Sequence, residues 1–244
     1  MLRPWNSEPI IDCGESLKEI PKNLHLLEPH PYKKLGAPYG ENGDPFRLRE
    51  SVINRLLLAQ KLLSNKNHGI NLAIFDAWRP ISVQKFMIDY SIKQECLARG
   101  IKYEANSKDE EIRKIVETVC RFWAPPSLNP LMPPPHSTGG AVDVTFIDAK
   151  NNELEMGGSI DEIGEVSEPD FYLWASRLDS SSNFNLFHSR RVLLASVMRK
   201  AGFVQHPNEW WHFSYGDQLW AWMTKSNSAI YGLCSFEGSK AIMT

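Results

Sequence analysis

The sequence predicts an α+β fold, a single domain over residues 1–244 whose central, mainly antiparallel sheet is flanked by helices. Three observations predict it. Apolar residues recur at helical spacing in separate stretches, short apolar runs bounded by turn residues read as strands, and no linker is long enough to divide the 244 residues. No internal repeat is present.

Residues 1–49 are rich in Pro, Gly and Asn and read as loops with short extended pieces. Between Glu50 and Asn65, the residues Val52, Ile53, Leu56, Leu57, Ala59, Leu62 and Leu63 give one broad apolar face, the spacing of a helix. Residues 70–75 follow as a buried strand that ends at Asp76-Ala-Trp-Arg79-Pro80. Pro80 disfavours helix at Arg79, which leaves that arginine at the strand's end. A helix is predicted beyond it, capped by Ser82 and running to Gly100.

The next helix starts at Ser107-Lys-Asp-Glu110, a capping-box spacing, with a stripe of Ile112, Ile115, Val116, Val119 and Phe122. The proline-rich stretch 125–135 excludes helix and central strand and leads stiffly into His136. Recognition of polyproline by a partner is the other use of such a stretch. From Ala141 to Ile147 the alternation of a strand sends Val142, Val144 and Phe146 to the core and Asp143 and Thr145 to the opposite face. A turn is expected at 148–152, long loops over 153–187, and an amphipathic helix over 189–201 closed by Gly202. A strand over 210–215 and a short helix over 217–225 complete the reading.

Composition narrows the function classes. A net charge of -2 with no basic run gives nucleic acid no electrostatic foothold. No stretch approaches the roughly 18 uninterrupted apolar residues of a membrane span, and the first residues lack the apolar run of a signal peptide. A soluble, cytoplasmic protein is expected. Cys13, Cys96, Cys120 and Cys234 form no Cys-x-x-Cys pair and are expected as buried thiols rather than disulfides.

Two distant segments carry chemistry. His136-Ser-Thr-Gly-Gly-Ala-Val-Asp143 offers an imidazole and a carboxylate; Glu209-Trp-Trp-His212 offers a second imidazole preceded by a carboxylate. Alone, His136 in a proline-rich loop reads as an incidental polar residue. Asp143 shifts the balance, because an inward-facing aspartate on an apolar strand is costly unless it is paired or coordinates a cation. Gly139 and Gly140 permit the tight path that folds the loop back over the strand. Trp210, Trp211 and Phe213 equally suit a core strand in which His212 is merely hydrogen-bonded, but Glu209 at the strand entrance sits where aromatic walls raise a carboxyl pKa.

With His136, Asp143 and His212 as ligands, a zinc ion keeps its fourth position for water. Glu209 is then free to act as a base, and the chain is a metallohydrolase. Arg79 either caps a surface carboxylate or, in such a site, steadies the oxyanion of a tetrahedral intermediate.

Asp76-x-x-Arg79-Pro80, His136-x-x-Gly139-x-Ala141-x-Asp143 and Glu209-x-x-His212, in this order, resemble the D-alanyl-D-alanine dipeptidases. These are the VanX-type zinc enzymes (peptidase family M15) of vancomycin resistance and D,D-dipeptide salvage. Met156-Gly157 with Asp161 downstream, and Arg190-Arg191 with Met198 and Gly202-Phe203, extend the resemblance over about Asp12 to Tyr215. The resemblance implies one Zn2+ per chain on His136, Asp143 and His212, Glu209 as base, Arg79 on the oxyanion, and Asp161 near the substrate's free amino group. It implies hydrolysis of D-Ala-D-Ala or a closely related small dipeptide.

Two departures stand out: Pro134 replaces the serine usual two residues before the first zinc histidine, and the family's N-terminal substrate stretch gives way to Pro38-Tyr-Gly-Glu-Asn-Gly-Asp44. The alternatives are a D,D-carboxypeptidase or murein peptidase of related fold, and a zinc-binding protein without catalysis. The retained Glu209 and Arg79 weigh against the last, since metal binding needs neither.

Overall fold

The computed structural model describes residues 3–40, 43–66, 69–104, 109–178 and 183–234. The strands are β1 (Leu17–Glu19), β2 (His25–Leu26), β3 (Arg47–Arg49), β4 (Ile70–Asp76), β5 (Ala141–Asp148), β6 (Val204–Gln205) and β7 (His212–Ser214). The α-helices are α1 (Pro31–Lys34), α2 (Glu50–Ser64), α3 (Ile81–Ala98), α4 (Glu110–Phe122), α5 (Phe171–Leu178), α6 (Phe184–Lys200) and α7 (Gln218–Thr224).

The fold class is α+β, as expected. Five strands form the main sheet in the order β2-β4-β5-β7-β6, and β1 pairs with β3 in a separate two-stranded ribbon. The main sheet is mixed: β2 runs parallel to β4, while β4–β5, β5–β7 and β6–β7 are antiparallel. The parallel strand comes from residues read as loop, and its two-residue length leaves no alternation to detect.

Side chains from α2, such as Leu56 and Leu63, and from α6, such as Leu194 and Met198, pack against Leu72, Ile74, Val142, Val144 and Phe146 of the sheet. Each fully buried aliphatic of this kind contributes about 1.5–3 kcal/mol. A second cluster joins Val83, Met87 and Ile92 of α3 to Ile112, Ile115 and Val119 of α4, together with Tyr32, Tyr39 and Trp123. Phe75 of β4 packs against this second cluster. Both faces of the sheet are therefore covered, and β5 is buried along almost its whole length.

Local details differ from expectation in instructive ways. Ser82 does not cap α3, which starts at Ile81; its hydroxyl donates instead to the Pro38 carbonyl at 3.2 Å. Ser107 lies outside the described residues, and the cap of α4 is Asp109, which accepts from the Glu111 N–H at 2.8 Å. The stretch read as long loops holds α5 and the first turns of α6, which begins at Phe184 rather than Ser189. The strand read over 210–215 pairs only at His212–Ser214. Cys96 is buried and Cys120 and Cys234 partly so, but Cys13 is exposed, so the buried-thiol expectation fails there. Among the described residues, no helix is long and apolar enough to cross a membrane.

Candidate active site

Strand register assembles the site. Along β4 and β5, Leu72 faces Phe146, Ala73 faces Thr145 and Ile74 faces Val144; then a bulge inserts Phe75, so that Asp76 comes opposite Asp143. On the other side Asp143 is in register with His212 of β7. Asp76, Asp143 and His212 thus lie abreast on three neighbouring strands. Bulges commonly re-aim a side chain beside an active site, and this one delivers a carboxylate.

His136 arrives from the other direction, on a 3-10 turn over Pro135–Thr138. The proline-rich lead-in ends there, with Pro134 as the residue before the turn. The turn is stitched to the exit of β4: the Arg79 N–H donates to the His136 carbonyl at 3.4 Å, and the Ser137 hydroxyl donates to the Arg79 carbonyl at 2.7 Å. Gly139 ends it at φ 72°, and a Cβ there would collide with Leu17. A Cβ on Gly140 would lie 2.6 Å from the Tyr215 carbonyl oxygen, so the Gly-Gly step is imposed by backbone conformation at one position and close approach at the other.

The three expected ligands converge. His136 Nε2 lies 3.1 Å from His212 Nδ1 and 3.3 Å from Asp143 Oδ2, and His212 Nδ1 lies 3.1 Å from Asp143 Oδ1. Tetrahedral zinc with N and O ligands at about 2.0–2.2 Å spaces its donors by roughly 3.3–3.6 Å. The two Asp143 contacts run to different oxygens; with one donor atom taken from each residue, all three lie within 4.8 Å of one another, a set that turning the carboxylate brings toward this spacing.

The tautomers fit too. His136 Nδ1 donates to the Ala77 carbonyl at 2.7 Å, leaving Nε2 as the lone-pair nitrogen. His212 Nε2 stands 3.3 Å from Ser214 Oγ, which donates to Asp217 Oδ2 at 2.6 Å, leaving Nδ1 free to coordinate. Such outer partners fix the orientation of ligating imidazoles. All three residues are buried.

Glu209 precedes β7 by three residues, with Oε2 at 3.7 Å from His212 Nδ1 and Oε1 at 3.4 Å from His206 Nδ1. Burial pushes its pKa up to about 8, opposed mainly by the charge of Arg3. Burial likewise raises Asp161 to about 7, reinforced by the nearby Asp143 carboxylate. Asp161 adopts the left-handed region at φ 67° and accepts a 2.8 Å hydrogen bond from the Tyr32 hydroxyl.

Arg79 is clamped rather than free. Its Nε and Nη2 donate to Asp76 Oδ2 at 3.0 and 2.6 Å, Nη1 donates to Gln84 Oε1 at 2.9 Å, and Nη2 reaches Tyr32 Oη at 3.2 Å and Asp143 Oδ2 at 3.4 Å. Its guanidinium lies over the rings of Tyr32 and Trp123, with centroids at 5.0 and 4.9 Å. The fully buried Asp76 also meets His30 Nε2 at 3.0 Å and Tyr39 Oη at 3.2 Å. Asp76 therefore neutralises Arg79 and fixes its plane, a role for the first residue of the Asp-x-x-Arg-Pro motif.

All six residues singled out in the sequence line one narrow pocket: Arg79, His136, Asp143, Asp161, Glu209 and His212. Sequence reasoning missed the residues that hold them, namely Tyr32, His206, Ser214, Asp217 and the pocket-lining Arg3. Ser214 carried a usable signal, since it alternates with His212 on one face of β7.

A family model described as D-ala-D-ala dipeptidase matches residues 26–229. The chain belongs to this family. It is 40% identical over 224 residues to a D-alanyl-D-alanine dipeptidase of Synechocystis sp., covering 91% of this chain and 90% of that protein. A D-alanyl-D-alanine dipeptidase of Escherichia coli K12 is 36% identical over 78 residues, which is 32% of this chain and 36% of that protein. Family membership places the chain among peptidases.

Solved structures with a likeness include VanYB in complex with D-alanine-D-alanine, at 16% identity and TM-score 0.41, covering 78% of this chain and 83% of that one. The LD-carboxypeptidase LdcB is also 16% identical, with TM-score 0.43, covering 93% of this chain and 78% of that one. At these scores neither carries a functional inference.

Proposed function

We propose that the chain is a zinc-dependent dipeptidase that hydrolyses D-Ala-D-Ala, or a closely related small dipeptide, to free amino acids, and that residues 1–244 act as one domain. The observation that carries this is the convergence of His136 Nε2, the Asp143 carboxylate and His212 Nδ1, whose donor atoms lie within 4.8 Å of one another, with Glu209 beside them in the same pocket. Near end-to-end coverage of the Synechocystis relative supports the choice of substrate.

His136, Asp143 and His212 would hold one zinc ion. When bound, zinc supplies a Lewis acid and acidifies water at its open position. Glu209 accepts the proton of the attacking water and returns it to the amide nitrogen as the C–N bond breaks. Its raised pKa suits both directions of that transfer near neutral pH. Arg79 presents its fixed cationic face to the oxygen that gains charge, and the Asp76 clamp spares it from reorganising during the reaction. Asp161 receives the ammonium of the substrate, which favours dipeptides over internal bonds. Phe122, Trp123 and Trp211 wall the pocket and limit access of bulk water.

The test is a panel of alanyl-alanine dipeptides varying in chirality at both positions, run with and without a chelator. Cleavage confined to D,D-type substrates, abolished by chelation and restored by zinc, is expected. Turnover unaffected by chelation, or no turnover of any dipeptide, overturns the proposal.

A further inference from the structure

A second guanidinium lines the pocket, and no motif or family likeness assigns it a task. Arg3 stands before the short turn Pro4–Ser7, with its N–H donating to Asn6 Oδ1 at 2.7 Å. Gln218 at the start of α7 anchors that turn, donating to the carbonyls of Asn6 and Glu8 at 3.3 and 2.7 Å. The Arg3 side chain reaches the C-terminal end of α4, where helical carbonyls lack partners: Nη2 donates to the Phe122 and Arg121 carbonyls at 3.1 and 3.4 Å. Nη1 lies 3.3 Å from His206 Nε2, and the guanidinium lies 5.5 Å from the Trp5 ring centroid.

Among the described residues these hydrogen-bond and ring partners are neutral, and the carboxylate nearest in effect, Glu209, feels the Arg3 charge without a hydrogen bond to it. Arg79, by contrast, is already matched by Asp76 and Asp143. A partly buried guanidinium with no ion pair of its own gains most from an incoming carboxylate, which it can bind in charge-assisted fashion.

Contacts along the pocket wall set the geometry. Asp161 bonds Tyr32, Tyr32 bonds Arg79, and Arg79 touches Asp143 of the metal triangle. From the triangle, His212 neighbours Glu209, Glu209 neighbours His206, and His206 neighbours Arg3. The anion Asp161 and the cation Arg3 stand at the two ends of this chain, with the hydrolytic groups between them. A dipeptide is a zwitterion whose charged ends flank its single peptide bond.

We infer that Arg3 receives the C-terminal carboxylate of the dipeptide and selects substrates that end one residue beyond the scissile bond. This rests on the dipeptidase reading above. With Asp161 on the ammonium, both ends of the substrate are recognised and longer peptides are excluded at either side.

The experiment compares D-Ala-D-Ala with D-alanyl-D-alaninamide, which lacks the terminal charge, in the zinc-loaded wild type, Arg3→Gln and Arg3→Lys, with zinc content measured for each. Arg3→Gln is expected to raise KM for the free acid about 10- to 100-fold and to leave KM for the amide near wild type, with any change of kcat through the charge felt by Glu209 the same on both substrates. Arg3→Lys keeps the charge and is expected to retain part of the preference for the acid. A wild type that cleaves the acid while Arg3→Gln keeps the same acid-to-amide ratio overturns the Arg3 assignment and leaves the dipeptidase reading intact. Equal changes of kcat on both substrates with neither KM moved also overturn it, marking Arg3 as acting only through Glu209 or the fold. A wild type that cleaves neither substrate overturns both.

Discussion

Ser214 donates to Asp217 at 2.6 Å while standing 3.3 Å from His212 Nε2, so a carboxylate two hydrogen bonds removed from the His136–Asp143–His212 cluster sets the orientation of one of its imidazoles. Asp217 is itself fixed, because its other oxygen caps α7 by accepting from the Trp220 N–H at 2.9 Å. Helix start and His212 orientation are thereby joined in one side chain.

Breaking this relay should loosen the metal without removing a ligand. Ser214→Ala is expected to weaken zinc affinity about 10- to 100-fold. Competition with a chromophoric chelator reads the effect, and an affinity equal to wild type would contradict the relay.

Arg79 and Asp76 form a buried pair, and removing one partner leaves the other charged without compensation. Arg79→Ala should cost about 3–5 kcal/mol of folding stability, as buried pairs do when broken. It should also lower kcat about 10²–10³-fold through loss of oxyanion support. Urea unfolding read alongside turnover checks both. A loss below about 1 kcal/mol would mean that His30 and Tyr39 alone can carry the Asp76 carboxylate.

The raised carboxyl groups give the metal-free protein an unusual pH response. Glu209 moves from an ordinary 4.5 to about 8 and Asp161 from 3.8 to about 7, so the folded state holds protons that the unfolded chain has released. Stability from these groups declines as pH rises through those windows. His206, held well below its ordinary 6.5 chiefly by burial, acts oppositely: folding gains as pH climbs to 6.5 and nothing further above it. Between 6.5 and about 8 Glu209 and Asp161 act without opposition from His206, and thermal stability of the metal-free protein should fall with rising pH. Saturating zinc should flatten or reverse that slope, because a dication favours the ionised carboxylate. Thermal midpoints across this window, with and without zinc, decide it; a metal-free midpoint that climbs with pH would contradict the account.

Legibility in the sequence followed locality. The alternation of Val142, Val144 and Phe146 placed Asp143 on the opposite face because period-two patterning is a property of neighbours, and the core contains those three residues. The Gly139-Gly140 step and the stop of α3 at Gly100 were legible for the same reason. The bulge at Phe75, the β2–β4 pairing and the grip of α4 on Arg3 depend on residues far apart in the chain, which leave no periodic trace. In the stretch read as loop, helix forms where Tyr172 of α5 packs on Phe171 and on Phe184 and Phe187 of α6, a tertiary gain invisible to propensity.

The division of labour in the pocket is tested most directly by Glu209→Ala, assayed for zinc stoichiometry and dipeptide turnover on the same preparation. The account predicts close to one zinc per chain, since the three donor atoms of the triangle are untouched. It predicts turnover reduced at least 10²-fold, the usual contribution of a positioned acid–base group. Undiminished turnover would remove Glu209 from the proton transfers, and loss of the zinc would make it a ligand instead.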